Sequence, residues 1–246
     1  MKYLTSVYWE RGSVARCNQD SLVVLQVMTA AGRVLMAAVC DGMGGLSQGE
    51  RASGYVTRRL QEWFYESLLR AVRKKKSYWI IRRSLDRLVY DMQEQLSRYA
   101  KREQISLGTT MTVLVLWESS YLLWHLGDSR AYRLGAIYRG KGNGSEAECM
   151  TTDHIYGKNR LTKCVGSFGY ERSDYKMGAV KPGQAFLLCS DGFRNCVDEP
   201  ELADVLNPKA VETEEQAVRR LRAIGEACMK RGEKDNLSAI YIKAVK

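Results

Sequence analysis

Histidine is nearly absent from this sequence. His125 and His154 are the only two, and neither has a second ligand at the spacing used by zinc sites. The seven cysteines contain no Cys-x-x-Cys pair, and Cys40 and Cys189 lie inside apolar runs where a thiol behaves as a small hydrophobe. The set reads as reduced, which sets zinc chemistry aside. A Ser-His-Asp hydrolase stays open on residue count, but no Gly-x-Ser-x-Gly elbow is found. No apolar stretch is long enough to span a bilayer, and the opening MKYLTSVYWERG turns polar at once, unlike a signal peptide. The expectation is a soluble protein of the cytoplasm with no membrane partner.

What is present suffices for one full-sized core. The chain has 246 residues, 45% of them apolar, so a single domain over residues 1–246 is expected. The formal charge of +10 is concentrated between Arg51 and Arg102 and includes the run Arg73-Lys74-Lys75-Lys76. A solvated helical face is the plainer reading. Nucleic-acid binding, the other reading, predicts steep salt dependence but lacks a stacking or groove-reading motif.

Residues 3–9, 21–27 and 33–40 read as strands, with Ala30-Ala31-Gly32 as the turn between the last two, and together suggest a β-meander. From Gly49 to about Lys101 the apolar period becomes helical. Val56, Leu60, Trp63 and Phe64 share one face, and Ile81, Leu85, Leu88, Met92, Leu96 and Tyr99 share the next. The two helices break near Lys74–Ser77. Strand signals return at 110–117, 121–126, 130–134 and 184–190, residues 140–148 read as a loop tip, a helix covers 214–230, and 237–245 forms a last strand. Hairpin spacing predicts antiparallel sheets with helices packed outside.

One pattern recurs. An apolar run ends on an aspartate and a small turn residue at Asp41-Gly42, Asp128-Ser129 and Asp191-Gly192, while Asp235-Asn236 precedes the last strand. Each alone is an ordinary turn. Four at strand ends can converge, and mutual repulsion then calls for a cation. Oxygen-only ligands point to Mg²⁺ or Mn²⁺, and two such ions form a device for hydrolysing phosphate esters. Gly42-Met43-Gly44-Gly45-Leu46-Ser47 approximates a dinucleotide fingerprint, but no βαβ unit with an acid on its second strand follows.

RCNQD (16–20), CDGMGGLSQGERAS (40–53), SLGTTMT (106–112), HLGDSRAYR (125–133), TDH (152–154), LTKCVGS (161–167), LLCSDGF (187–193) and KDNLSAI (234–240) occur in the order of motifs in the metal-dependent type 2C Ser/Thr protein phosphatases. The chain resembles a bacterial-type member over nearly its whole length. The resemblance implies an α+β fold, a four-layer α-β-β-α sandwich with two central antiparallel sheets flanked by helices. It implies hydrolysis of phosphoserine and phosphothreonine in proteins through a metal-bridging hydroxide at a binuclear Mn²⁺ or Mg²⁺ centre. Asp41 would bridge the two ions, the Gly42 carbonyl would ligate one, and Asp191 and Asp235 would complete the set. Asp20 would hold water in the outer shell, and Asp128 with Asp191 would hold a third, weaker ion. The partners implied are phosphorylated proteins and a cognate Ser/Thr kinase, with the chain acting as a monomer.

Four positions depart from the family pattern. Ala15 stands where the phosphate-binding arginine is usual, and Arg16 is one residue late, so Arg16 is expected to reach substrate phosphate through a β-bulge. Gln19 replaces a common glutamate. Met43 stands where some members carry a histidine. The stretch from His154 to Leu161 is short, which predicts a largely deleted flap. Ala15, Gln19 and the short flap also motivate an alternative, a catalytically weakened relative that binds phosphoproteins or a kinase. His125 is expected to be a satisfied core or edge residue, and His154 to orient a loop near the site.

Overall fold

In the computed structural model, residues 1–14, 16–43, 48–135, 146–157, 160–167 and 169–246 are described. The Gly44-Gly45 part of the glycine-rich turn, Ala15 and residues 136–145 lie outside them.

Alternation along each strand explains the layering. In β3 (Gly32–Asp41), Val34, Met36, Ala38 and Cys40 face one core, while Leu35, Ala37 and Val39 face another. A strand with both faces covered loses the polar half of its alternation, so β4 (Met111–Trp117) reads MTVLVLW and is buried throughout. These two strands lie inside a five-stranded antiparallel sheet. Its order is β10 (Asp174–Ala179), β5 (Ser120–Leu126), β4, β3 and β2 (Asp20–Thr29).

The second sheet has the order β1 (Lys2–Glu10), β12 (Leu237–Val245), β11 (Ala185–Cys189), β6 (Arg130–Gly135) and β7 (Glu146–Cys149). Its Phe186, Leu188, Ile240 and Ile242 meet Leu35, Val39 and Leu114 of the first sheet. Leu187, Cys189, Ala239 and Tyr241 point outward against Leu221 and Ile224 of α6 (Glu214–Lys230). Thr213 and Gln216 close a capping box at the start of α6, satisfying backbone N–H groups there.

The outer face of the first sheet is covered by α1 (Gly49–Trp63), which continues through a π segment (Phe64–Leu68) into α2 (Leu69–Arg73), and by α3 (Tyr78–Glu103). Val56, Leu60, Ile81, Leu85 and Met92 seal it. Truncating any one of these to alanine should cost about 2–5 kcal/mol. The short helices α4 (Asp191–Arg194) and α5 (Glu199–Val205) complete the other outer layer. The predicted α-β-β-α sandwich is therefore the observed one. The short stretch after His154 forms only a two-residue-per-strand hairpin, β8 (Ile155–Tyr156) with β9 (Arg160–Leu161).

Two expectations need correcting. The first three strands are not a meander, because β1 pairs with β12 at the far end of the sequence and only β2 and β3 form a hairpin. Residues 146–148 belong to β7 rather than to a loop tip.

Candidate active site

Antiparallel pairing brings the ends of several apolar runs to one end of the sandwich. Asp41 closes β3 directly opposite Asp20, the first residue of β2. Asp128 follows β5, and Asp191 and Asp235 flank the paired strands β11 and β12. Each acid stands where a strand ends, so its side chain is freed from the sheet just where the two sheets open.

Asp41 is fixed through its backbone. Its N–H donates to Thr110 Oγ1 (2.9 Å), and its carbonyl accepts from Thr110 N–H (2.8 Å) and from the Thr109 hydroxyl (2.9 Å). Thr110 Oγ1 also meets Ser129 Oγ at 2.7 Å, tying Asp41 to the residue after Asp128. Gly42 donates its N–H to the Gln19 carbonyl (3.1 Å). A Cβ there would lie 2.4 Å from the Gly49 carbonyl oxygen and 2.6 Å from that of Gln19, so only glycine fits. Gly127 is constrained twice, by φ +112° and by Thr110 Cγ2 at 2.5 Å from a Cβ position. The opening to the other sheet is closed by Asn236, whose Oδ1 accepts from Gln19 N–H (2.7 Å) and whose N–H donates to Asp235 Oδ1 (2.7 Å).

The electrostatics follow from this crowding. Burial raises the Asp41 carboxyl well above its ordinary value, and Asp20, Asp191, Asp128 and Asp235 raise it further. Burial likewise pushes Asp20 up to about 7, with the neighbouring Asp191 and Asp235 adding to it. Asp128 rises to about 6, from burial and Asp191, with Arg194 opposing. Asp20 is buried, Asp41, Asp128 and Asp191 are half-buried, and Asp235 is exposed, so the cluster opens toward Asp235.

Among the described residues no three carboxylates close to the ligand spacing of a single ion. A paired Mg²⁺-type site asks for less, since each ion keeps several waters and takes one or two carboxylates. The donors here are all oxygens, and the buried Asp20 Oδ2 has no hydrogen-bond partner, as an acceptor for ordered water requires. These residues fit a pair of hard divalent ions.

Arg16 requires a correction. β1 ends at Glu10 and β2 begins at Asp20, so Arg16 lies outside both strands and neither strand alternation nor a bulge applies to it. Its side chain is exposed and lines a cleft of about 620 Å³ together with Gln19 and Asp235. The facing of Ala15 lies outside the described residues.

His125 is buried, with Nε2–H donating to the Thr152 carbonyl (3.2 Å) and Nδ1 accepting from Thr112 (3.0 Å). Burial and the stacked His154 ring lower its pKa to about 4. His154 Nδ1 accepts from Gly127 N–H (3.1 Å), and the His154 backbone N–H donates to the Gly127 carbonyl (2.8 Å), which orients the turn carrying Asp128. Sequence reasoning missed Arg194. Its Nη2 donates to the Asp128 carbonyl (3.3 Å) and to Asp153 Oδ2 (3.2 Å), while Arg130 grips Asp153 through two bonds of 2.8 Å. Burial alone would raise Asp153, but Arg130 and Arg194 hold it below its ordinary value. The only sequence signal for Arg194 is its position three residues after Asp191, one helical turn on.

Comparison with known proteins identifies the family and the fold. The family model "Protein phosphatase 2C" matches residues 12–239. The chain is 25% identical to the serine/threonine phosphatase stp of Listeria innocua, over 95% of this chain and 93% of that one. Its fold superposes on PppA of Pseudomonas aeruginosa with a TM-score of 0.78 at 26% identity, covering 99% and 98% of the two chains. The catalytic domain of the Ser/Thr protein phosphatase PstP, solved with two manganese ions, superposes with a TM-score of 0.74 at 23% identity over 99% of each chain.

Proposed function

Since the chain belongs to the protein phosphatase 2C family, and is thereby a Ser/Thr phosphoprotein phosphatase, we propose that it hydrolyses phosphoserine and phosphothreonine by direct attack of water at a pair of Mn²⁺ or Mg²⁺ ions. One observation carries this reading. Asp41 is buried among four other carboxylates, Asp20, Asp191, Asp128 and Asp235, that all oppose its ionisation. Such a cluster is unfavourable without divalent charge.

Asp41, Asp191, Asp235 and the Gly42 carbonyl would hold the ions, and Asp128 with Asp191 a third. Bound ions supply water of lowered pKa and positive charge against the phosphoryl oxygens. The two threonines keep the Asp41 backbone in place, so its carboxylate needs no rearrangement as charge develops. Asp20 accepts from water at the edge of the site. Arg16, on the cleft shared with Asp235, binds the substrate phosphate, for which a guanidinium fork is suited. The reading extends to a single catalytic unit over residues 1–246. It acts as a cytoplasmic monomer in signalling, on phosphoproteins written by a cognate Ser/Thr kinase. Among the described residues no helix is long and apolar enough to cross a membrane.

Turnover of p-nitrophenyl phosphate and of a phosphothreonine peptide tests the mechanism. Activity should require Mn²⁺ or Mg²⁺, and Asp41→Asn or Asp191→Asn should lower kcat by orders of magnitude while the protein stays folded. Undiminished turnover in excess EDTA would sink the reading.

A further inference from the structure

The basic stretch on α3 forms a built groove. Trp79, Arg83 and Arg87 follow one another at i, i+4 and i+8, and Arg82, Asp86 and Tyr90 form the adjoining row, so all six share a helix face. That face meets the segment after residue 168, where Tyr170 packs edge-to-face on Tyr90 with ring centroids 5.1 Å apart. Arg172 lines the same groove, whose volume is about 570 Å³. Four arginines thus stand against one aspartate.

The aromatic rings hold the guanidiniums. Arg83 lies 4.8 Å over the Trp79 ring, Arg87 5.7 Å over Tyr90, and Arg82 4.3 Å over Tyr175. Stacking fixes the plane of each guanidinium and leaves its edge N–H groups free to bond. Trp79 is 60% exposed, so it is not there to fill the core. Arg87 hydrogen-bonds Asp91 through Nε (3.1 Å), and Arg82 Nε lies 3.7 Å from Asp86, too far for a hydrogen bond. Arg83 and Arg172 have no carboxylate within ion-pair distance among the described residues. An arrangement of planar, preorganised forks selects phosphate oxygens. Because the ring faces are already covered by guanidiniums, they are poor platforms for a nucleobase.

We propose that this groove docks a second phosphorylated residue of the protein substrate while the first is in the active site. The inference rests on the phosphoprotein reading above and deepens it. The groove would add to the active site a second, charged contact on α3. Occupancy should weaken as salt rises, because the contacts are ionic and partly exposed.

Binding decides the matter on Mn²⁺-loaded protein with a probe it cannot turn over. A synthetic peptide carrying two non-hydrolysable phosphonate mimics of phosphothreonine is titrated and followed by fluorescence anisotropy, against the same peptide carrying one such mimic and against ATP. The peptide with two mimics should bind at least tenfold more tightly than the peptide with one. The double substitution Arg83→Gln with Arg172→Gln should abolish that difference, with p-nitrophenyl phosphate turnover in Mn²⁺ unchanged. Equal affinity of the two peptides across a set of spacers, a preference retained by the variant, or tighter binding of ATP would each overturn the proposal. Failure of the wild-type protein to hydrolyse p-nitrophenyl phosphate would overturn the phosphatase reading instead, and the anisotropy would still report on the groove.

Discussion

Asp20→Asn should stabilise the ion-free protein, although it removes a residue of the candidate active site. In the folded chain burial pushes Asp20 up to about 7, with Asp191 and Asp235 adding to it, whereas in the unfolded chain a carboxyl titrates near 3.8. The folded protein therefore binds the proton more tightly. Stability falls as pH rises from about 4 to about 7 and stays low above that. At 1.36 kcal/mol per pH unit the full cost of ionising Asp20 at pH 7.5 is about 4 kcal/mol. Asparagine has nearly the same shape and no charge to desolvate. Removing the charge also relieves Asp41, which Asp20 repels. At pH 5 most folded molecules carry the proton already, and the same substitution gains only about 1–2 kcal/mol.

Thermal unfolding in EDTA measures this directly. For a chain of this size each 1 kcal/mol moves Tm by roughly 2–4 °C, so the variant should melt roughly 5–15 °C higher at pH 7.5 and only a few degrees higher at pH 5. Buried His125, with its pKa lowered to about 4, has the opposite sign and loses stability as pH falls below 6.5. It is the same in both proteins and drops out of the comparison. Excess Mn²⁺ should erase the advantage, because divalent charge replaces the relief that asparagine gives. The reasoning is refuted if the variant is no more stable at pH 7.5, or if its gain is equally large at pH 5, which would mark an effect of packing.

The parts legible in the sequence are those whose signal is local. β3 and β4 announce themselves as apolar runs because both of their faces are covered, and α1, α3 and α6 show a helical period because one face is. Two of the four edge strands of the five-stranded sheets carry neither signal. β10 and β7 pair on one side only and expose alternate residues, so DYKMGA and EAEC look like loops. Pairing between distant segments is equally hidden, which is why β1 reads as the first strand of a meander when its partner lies at the other end of the chain. Asp41, Asp128 and Asp191 were legible because each ends an apolar run, and the order of motifs then grouped them with Asp20 and Asp235. Arg194 was not, since its contacts with Asp128 and Asp153 join residues 66 and 41 positions apart. The basic stretch was visible as charge alone. Its stacking on Tyr175 and its closure by Tyr170 and Arg172 depend on tertiary structure.

Two further outcomes are expected. With the stretch after His154 limited to the two-residue strands β8 and β9, and Tyr156 75% exposed, few remote contacts are expected to separate one singly phosphorylated peptide from another. Values of kcat/KM across such a panel should span about tenfold or less, and a hundredfold spread would refute this. Arg16→Ala should raise KM for a phosphopeptide by about ten- to a hundred-and-fiftyfold, because a charge-assisted bond to phosphate contributes about 1.5–3 kcal/mol. The strand-register objection to this role is gone, since Arg16 lies outside both β1 and β2. Its side chain is exposed on the cleft that also holds Asp235, free to swing toward a bound phosphate. Exposure lowers the strength of the bond, so the lower half of the range is the better expectation. If the contact forms on substrate binding and persists in the transition state, kcat stays within about twofold and the loss falls on KM. An unchanged KM would make Arg16 a surface residue, and phosphate would then be held without a guanidinium from this segment.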